Sequence, residues 1–159
     1  MKNKIKITLR KAKPQDCRKI YFLYSEPLSR KFSLSSEKVS YANHKKWFTN
    51  KLADKNYLIL AAENKGKFVG QVRFEIEGNE ALTGVSVHKK FRGYGLGKTL
   101  LADGMAYLKI HFPKVKFAIG QIMPENIAAI KNSQFVGFKF EKCLILNNKK
   151  INQYRLKLE

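Results

Sequence analysis

A short glycine-rich segment separates a predicted strand from a predicted helix in the middle of the chain. The segment Arg92–Lys98 follows the strand predicted over Glu80–His88 and precedes a helix that extends to about His111. Glycine permits a tight turn and leaves backbone N–H groups uncovered by a Cβ atom. Because a helix N-terminus also carries partial positive charge, this turn suits a pyrophosphate group. The sequence therefore predicts a strand–turn–helix unit that binds a phosphorylated ligand.

The spacing of the glycines excludes two other phosphate-binding motifs. A dinucleotide-binding turn needs G-x-G-x-x-G and an acidic residue about 20 positions later. Here the glycines stand at 93, 95 and 97, and Phe117 occupies the region where the acidic residue is needed. A P-loop ends in Gly-Lys-Ser/Thr, which Gly97-Lys98-Thr99 matches, but position 92 is not the glycine that this motif requires. Neither motif explains the turn.

The order of predicted elements indicates a mixed α/β fold. An antiparallel meander comes first, and two strand–helix units follow that allow one parallel strand pair. That pair is expected between Glu80–His88 and Val115–Ile122, within a single domain that spans residues 1–159. The other predicted elements are strands at Lys4–Lys11, Tyr57–Glu63, Lys67–Glu77, Phe138–Leu146 and Lys150–Leu158, helices at Pro14–Ser25, after the N-cap Ser40 to Ala53 and from Asn126 to near Gly137, and an irregular loop at Glu26–Ser36.

The charge of the chain favours an anionic ligand. The sequence has 32 basic and 12 acidic residues and a net charge of +20, which attracts nucleic acid, anionic lipid and phosphorylated small molecules. Only six of the basic residues are arginine, the residue that reads nucleic-acid bases best, so nucleic acid is not the expected main partner. No apolar run is long enough to span a membrane, and a cytoplasmic location is expected. The cysteines and histidines lack metal-ligand spacing, so no metal is expected.

Two motifs in the second half of the chain resemble those of the GNAT superfamily of N-acetyltransferases. Both occur in the order and on the elements expected for that family. They are Val85-x-Val87 followed by Arg92-x-x-Gly95-x-Gly97, and Asn126-x-x-Ala129-Ile130 followed by Gly137-Phe138.

The resemblance implies a GNAT-like mixed sheet of six to seven strands with about four helices. The sheet would be splayed between its fourth and fifth strands, and acetyl-CoA, the donor substrate, would lie in the opening. Strand backbone would pair with the pantetheine like an added strand, turn amides would hold the pyrophosphate, and an asparagine would contact the pantetheine from the other side. The residues given these cofactor-binding roles are Val85, Ser86, Val87, Arg92, Gly93, Tyr94, Gly95, Leu96, Gly97, Lys98 and Asn126.

Acetyl transfer to an amine requires a base, because an aliphatic amine with a pKa of about 10 is mostly protonated at neutral pH. Glu75 is the first candidate, since Gln71, Arg73 and Glu75 share one polar face of a predicted strand. His88, at the end of the next strand, is the second, and Glu80 is the third. The family's usual acid is a tyrosine seven residues after the asparagine. Ser133 occupies that position. Ser133 acting through water, a thiolate leaving without an acid, and a relocated acid all remain open.

The acceptor site is expected to come from the least regular part of the chain, Glu26 to Trp47. The pattern in this region resembles that of a GNAT subgroup that acetylates amino sugars on nucleotides in bacterial surface-glycan and nonulosonic-acid pathways. It consists of Ser25-Glu26-Pro27 and Arg30, followed by His44-x-x-Trp47-Phe48. That resemblance implies a tryptophan ring stacked on a sugar or base and an arginine near the diphosphate. Arg73 is expected in the substrate wall.

The sequence thus predicts an acetyl-CoA-dependent N-acetyltransferase for a small amine acceptor, best matched by an amino-sugar nucleotide, in a monomer or homodimer. A peptide or protein N-terminus is an alternative acceptor, although a cationic amine favours an acidic groove and this chain is basic. A catalytically silent acyl-CoA or nucleic-acid binding module is the other alternative.

Overall fold

The computed structural model describes residues 4–35 and 37–159, and these form a seven-stranded sheet with five α-helices. Residues 1–3 and Ser36, the last residue of the predicted loop, lie outside the described residues. The elements are β1 (Thr8–Lys11), α1 (Cys17–Ser25), α2 (Pro27–Lys31), α3 (Tyr41–Ala53), β2 (Tyr57–Asn64), β3 (Lys67–Glu77), β4 (Glu80–Val87), α4 (Leu96–His111), β5 (Phe117–Ile122), α5 (Ile127–Val136), β6 (Lys139–Leu146) and β7 (Lys149–Lys157).

The strands are ordered β1-β2-β3-β4-β5-β7-β6 across the sheet. Among the described strands, β4 and β5 form the one parallel pair, and α4 makes the crossover between them. All the other neighbouring strands are antiparallel. This confirms the predicted mixed α/β sheet and its parallel pair.

The parallel strands β4 and β5 pair over only part of their length. Residue partners run from Glu80 and Phe117 to Thr83 and Gly120, and then the pairing stops. Both strands continue beyond that point, β4 to Val87 and β5 to Ile122. The expected splay between the fourth and fifth strands is therefore present, and it leaves an opening in the sheet.

Helices cover both faces of the sheet because successive strand residues point to opposite sides. On one face, Leu100 and Leu108 of α4 pack in a cluster with Val72 and Phe74 of β3. On the other face, Ile20 of α1 and Phe48 of α3 pack against Ile59 of β2. The opening between β4 and β5 thus connects two separately packed layers.

Two predicted boundaries differ from the structure. Within the predicted loop Glu26–Ser36, residues 27–31 form the short helix α2, which begins at Pro27 and is closed by the Arg30 N–H donating to the Glu26 carbonyl over 2.9 Å. A single helical turn is too short to show apolar periodicity. The first strand starts at Thr8 rather than Lys4. In the register of β1 with β2, residues 4–6 would fall opposite or beyond the turn at Lys65 and Gly66 that follows the end of β2.

Helix caps agree with the sequence. Ser40 caps α3, where its hydroxyl accepts a hydrogen bond from the Asn43 N–H over 3.2 Å. Gly137 ends α5 with a φ of 112°, a conformation that favours glycine. The N-terminal helix is preceded by a 3₁₀ turn at Pro14–Asp16, and the remaining boundaries shift by at most two residues.

Candidate active site

The opening between β4 and β5 leads into a cavity of about 790 Å³. We call its two parts the turn half and the Arg73 half. The turn half is lined by the ends of β4 and β5, residues 91–93 and 95–97, and α5 residues including Asn126 and Ser133. The Arg73 half is lined by Tyr24, residues 28–30 and 32–35, Tyr57, Arg73 and Glu75. Because Leu101 of α4 and Tyr24 of α1 both line the cavity, it reaches both faces of the sheet.

The N-terminus of α4 points backbone donors at the turn half. Gly95 is the N-cap, with a φ of 75°, a left-handed conformation that favours glycine. The Thr99 N–H donates to the Gly95 carbonyl over 3.4 Å. The amides of Leu96, Gly97 and Lys98 precede that bond, so the helix offers them no carbonyl. Three consecutive N–H groups and the positive end of the helix are thus available to an anion.

Gly97 also controls how closely α4 and α5 approach each other. A Cβ atom at Gly97 would collide with the side-chain amide of Asn132 on α5. Tyr94 and Lys98, although predicted to bind the cofactor, are not among the residues that line the cavity. Tyr94 is exposed, and the Lys98 ammonium lies 4.4 Å from the centroid of the Phe135 ring. Any contact of Lys98 with a ligand in the turn half would therefore come from its backbone.

The end of β4 presents an unpaired strand edge to the cavity. Val85, Ser86 and Val87 all line the cavity and pair with β3 on their other edge. No described β5 residue stands opposite them, because the pairing ends at Thr83 and Gly120. An extended ligand can add to such an edge through backbone hydrogen bonds.

Arg92 lines the cavity, but its guanidinium bonds to the protein. Its Nε donates to the Val87 carbonyl over 3.1 Å, and its Nη2 lies 2.5 Å from the carboxylate of Glu26. The side chain therefore fixes the turn after β4 against the start of α2.

Helix α5 supplies the other wall of the turn half. Asn126 caps the helix, and its Oδ1 accepts a hydrogen bond from the Ala129 N–H over 3.3 Å. Ser133 lies seven residues after Asn126, about two helical turns further along α5. It is buried and lines the cavity. The two tyrosines among the described lining residues, Tyr24 and Tyr57, both lie in the Arg73 half.

The Arg73 half is built on the polar face of β3. Glu75 stands opposite Tyr57 of β2, and Arg73 stands opposite Gly84 of β4. Burial raises the pKa of Tyr57 to about 12, so this phenol stays neutral at physiological pH. The electrostatic interaction of Arg73 with Tyr24 raises the pKa of the guanidinium more than burial lowers it.

A segment that we call the wall segment, residues 32–35, covers the side of the Arg73 half. Its carbonyls accept hydrogen bonds from three side chains. Arg30 donates to the carbonyls of Ser35 and Glu37, Lys149 donates to that of Ser33 over 3.0 Å, and Asn147 donates to that of Leu34 over 3.4 Å. Arg30, predicted to meet an acceptor phosphate, thus lines the cavity but spends its Nη2 on backbone carbonyls.

Besides Tyr94 and Lys98, three predicted catalytic or acceptor-site residues do not line the cavity. His44 is 4% exposed and lies among the rings of Tyr21, Tyr24, Trp47 and Phe48, and burial lowers its pKa. Trp47 packs edge-on behind the two tyrosines that do line it, Tyr24 and Tyr57. A direct stacking contact between Trp47 and an acceptor is not available in this arrangement.

His88 is the third of these residues. Its Nδ1 accepts a hydrogen bond from the Lys90 N–H over 3.2 Å and caps the 3₁₀ turn at Lys89–Phe91. The imidazole is thus engaged in closing the turn after β4. Of the three candidate bases, Glu75, His88 and Glu80, the structure brings only Glu75 into the cavity.

A model of the acetyltransferase (GNAT) family matches residues 15–138, which is most of the chain. The protein belongs to the GNAT family. Similar solved structures include spermidine N-acetyltransferase from Vibrio cholerae in complex with CoA and spermine, with a TM-score of 0.85, 17% identity, and coverage of 96% of this chain and 95% of that one. Ribosomal-protein-alanine N-acetyltransferase from Brucella melitensis has a TM-score of 0.79 and 21% identity, over 95% of this chain and 99% of that one. The protein yncA from Salmonella typhimurium, solved with its cofactor acetyl-CoA, has a TM-score of 0.79 and 20% identity, over 97% and 95%.

As a GNAT member, the protein is an acyltransferase that uses acetyl-CoA as its donor. The described residues fit that donor, because the turn half combines an unpaired strand edge with three free helix-terminal amides. When bound, acetyl-CoA supplies the acetyl group as an activated thioester. In the described part of the chain, no three His, Cys, Asp or Glu side chains lie close enough to hold a metal ion, and no helix is long and apolar enough to cross a membrane.

Sequence reasoning missed Tyr24 and Tyr57 as parts of the cavity, whereas the wall segment lies within Glu26–Trp47, where the acceptor pocket was expected. Tyr57 reaches it through its register with Glu75, and Tyr24 reaches it from α1 across the sheet face. The wall segment is held by Asn147 and Lys149, which come from the opposite end of the chain. One sequence signal points to this region: Gly84, opposite Arg73, lies inside a strand, where a glycine often marks the close approach of another group.

Proposed function

We propose that this acetyltransferase acetylates the primary amine of a small acceptor in the Arg73 half, and that an amino-sugar nucleotide is the acceptor class that fits best. The observation that carries this proposal is the divergence of β4 and β5 beyond Thr83 and Gly120. The resulting opening connects the turn half, which suits a CoA pyrophosphate, with the Arg73 half on the other face of the sheet.

The donor-binding roles follow from the geometry of the turn half. The edge of Val85–Val87 would hydrogen-bond the pantetheine, and the amides at the start of α4 would hold the pyrophosphate. Asn126 and Ser133 of α5 would line the opposite side of the pantetheine arm. Arg92 would act on this site through Val87 and the turn rather than as a free phosphate ligand.

Glu75 is the proposed base. Among the described residues that line the cavity, it carries the one carboxylate, and it is exposed enough to exchange its proton with solvent. A carboxylate can accept the proton of an ammonium group directly or through a water molecule. Because a serine hydroxyl is a much weaker acid than a phenol, Ser133 is proposed to act through water: the leaving thiolate takes a proton from the hydroxyl while a bound water molecule returns one to the serine oxygen.

The electrostatics of the acceptor site favour an anionic acceptor over a polycation. The chain carries a net charge of +20. Of the three arginines that line the cavity, Arg92 is paired with Glu26, which leaves Arg30 and Arg73 against the carboxylate of Glu75. A polyamine would meet net repulsion there, whereas a nucleotide-linked amine would be attracted. A peptide N-terminus remains the second candidate, supported by the similar fold of a ribosomal-protein acetyltransferase.

The test begins with donor binding and continues with turnover. Acetyl-CoA should raise the melting temperature, because a ligand that binds only the native state stabilises it. Release of free CoA thiol is then measured with amino-sugar nucleotides, spermidine and basic peptides. The highest kcat/KM is expected with an amino-sugar nucleotide. Preferred turnover of spermidine or of a peptide would contradict the acceptor class, and binding without any turnover would contradict catalysis.

A further inference from the structure

Arg73 differs from the arginines that contact carboxylates in the described part of the chain. Arg10, Arg92 and Arg155 each form an ion pair. Arg73, on the central strand β3, forms none with any described carboxylate, although it lies in a sheltered position between strands and α1. Holding a cation away from water without a counter-charge is costly. An arginine kept in that state at the wall of a cavity is suited to a ligand that brings the missing negative charge.

The groups around Arg73 are the phenol side chains of Tyr24 and Tyr57. Its guanidinium carbon lies 5.1 Å from the centroid of the Tyr24 ring, and both phenols interact with it electrostatically. The Tyr24 hydroxyl is buried and has no hydrogen-bond partner among the described residues. These phenols can accept N–H bonds or donate their own protons, but they do not neutralise the charge. An arginine flanked by two hydroxyl donors is a chemically complete site for a phosphate or carboxylate.

Gly84 makes the space that this arrangement needs. It stands directly opposite Arg73 on β4, and a Cβ atom there would lie 2.7 Å from Nε and 3.2 Å from Cγ of Arg73. The arginine side chain therefore lies flat across the strand whose end opens into the turn half. Gly84 itself lines the cavity, so the guanidinium sits beside the point where the two halves meet.

Glu75 fixes the distance between the two charges. Glu75 follows Arg73 by two positions on the same face of β3, so their Cα atoms are roughly 7 Å apart. At that separation, their side chains can contact two neighbouring groups of one acceptor molecule. An amine at Glu75 and an anion at Arg73 would then be separated by a few covalent bonds.

We propose that Arg73, with Tyr24 and Tyr57, is an anion-binding subsite of the acceptor site, and that the acceptor carries a phosphate or carboxylate close to its reactive amine. This inference rests on the proposed function. It narrows the acceptor to compounds that contain both groups, and it excludes polyamines, which bring no anion. A sugar nucleotide would supply a phosphate and an amino acid would supply a carboxylate.

The turnover test compares matched pairs of amines. Glucosamine is compared with UDP-glucosamine for the phosphate source, and an amino-acid amide is compared with its free amino acid for the carboxylate source. The wild-type kcat/KM is expected to favour the anionic member of one pair by at least about tenfold, as for a site built around a charged hydrogen bond. The preferred pair identifies the source.

Substitutions at Arg73 then test the residue itself. Arg73→Gln should reduce the preference to near one, and Arg73→Lys should restore part of it, while the Kd for acetyl-CoA stays unchanged in both. Gly84→Ala is a second variant, because the added methyl group displaces the Arg73 side chain without removing its charge. It should also lose the preference. A preference that survives in both Arg73→Gln and Gly84→Ala, or that is absent from the wild type, would overturn the proposal.

A binding arm separates this proposal from the proposed function. In the presence of saturating CoA, UDP-N-acetylglucosamine and N-acetylglucosamine are compared by thermal shift, as are an N-acetylated amino acid and its amide. Anion-dependent stabilisation that disappears in Arg73→Gln supports the subsite even where no amine is turned over. Turnover of neutral and anionic amines at equal rates, with no anion-dependent stabilisation, supports the acetyltransferase activity and refutes the subsite.

Discussion

Glu26 and Arg92 stand 66 positions apart in the chain, yet their Oε2 and Nη2 atoms lie 2.5 Å apart. Glu26 precedes α2, whose residues line the Arg73 half, and Arg92 precedes α4, whose N-terminus faces the turn half. The same guanidinium also bonds the Val87 carbonyl at the end of β4. One ion pair therefore joins the two halves of the cavity.

Replacing Glu26 with Gln should loosen the acceptor side more than the donor side. Arg92 keeps its bond to Val87, so the Kd for acetyl-CoA should change by less than about twofold, while the KM of the acceptor rises several-fold. The stability loss should be about 1.5 kcal/mol, since a charged hydrogen bond is weakened and Arg92 is 34% exposed. Kinetics and urea unfolding would check both, and an unchanged acceptor KM would show that the pair only stabilises the fold.

Gly95→Asp should abolish binding of acetyl-CoA while the fold survives. The carboxylate would stand at the N-terminus of α4, where the pyrophosphate is expected, and we expect the Kd to rise by more than about tenfold. Gly66→Asp is the matched control, because Gly66 has a similar φ of 78° and open space around it, but lies at the β2–β3 turn. It should bind normally in calorimetric titrations. Equal affinity in the two variants would mean that the α4 turn has no role in binding.

Glu75→Gln should slow the reaction without weakening donor binding. Loss of a general base costs about 10² to 10⁴ in rate, and the isosteric amide preserves the shape of the cavity. Glu77→Gln is the control, because Glu77 lies on the same strand but does not line the cavity. The test is kcat from CoA release, with the Kd for acetyl-CoA measured in parallel. Full activity of Glu75→Gln would remove Glu75 as the base.

Ser133→Ala should lower kcat by less than Glu75→Gln does, by about tenfold or less. A serine hydroxyl is a weak acid, so its contribution to thiolate departure is small compared with that of a dedicated base. Steady-state kinetics with one amine acceptor would compare the two variants. A larger loss in Ser133→Ala, at unchanged melting temperature, would instead make Ser133 the more important of the two.

His44 should make the stability of the protein depend on pH. Burial lowers its pKa below the ordinary value of 6.5, so the unfolded chain binds the proton more readily than the folded one. The free energy of unfolding should therefore fall as the pH drops below about 6.5. His44→Leu should flatten this dependence between pH 5 and 7, by about 1.4 kcal/mol for each pKa unit of difference. The exposed His111→Leu variant should keep the wild-type profile in urea unfolding, and a wild-type profile in His44→Leu would contradict the assignment.

The fold was largely predictable because its strongest signals are local. The glycine-rich turn, the cap at Ser40 and the glycine at 137 each depend on a few neighbouring residues, and the structure places all three as expected. The order of strands and helices then limits the topology to a few possibilities. The proposed donor site lies on these same elements, and most of the residues predicted for it line the cavity.

The acceptor site was less predictable because it depends on register and on distant contacts. The β2–β3 hairpin contains an irregularity at Ala62 and Glu63 that shifts the pairing by one residue. Without this irregularity, Tyr57 would pair with Phe74 instead of Glu75. Its side chain would then point to the side of the sheet covered by α4, because a one-residue slip moves every side chain to the other face. No pattern near Tyr57 reports that shift.

His44 and Trp47 illustrate the same limit. Their spacing on α3 correctly places them on one helix face, but that face packs onto the sheet through Ile59 and Phe48. Aromatic and imidazole groups suit a ligand site and a packed layer equally well. The distinction depends on which elements cover α3, and this is a property of the tertiary structure.

The wall segment is anchored by Asn147 and Lys149 at the turn between the last two strands. In the proposed acceptor site, recognition would thus depend on a hairpin that is far in sequence from the glycine-rich turn. Variation in that hairpin turn could retune substrate choice while leaving the acetyl-CoA machinery untouched. Substitutions at Asn147 and Lys149 would then change acceptor selectivity independently of the residues that carry out acetyl transfer.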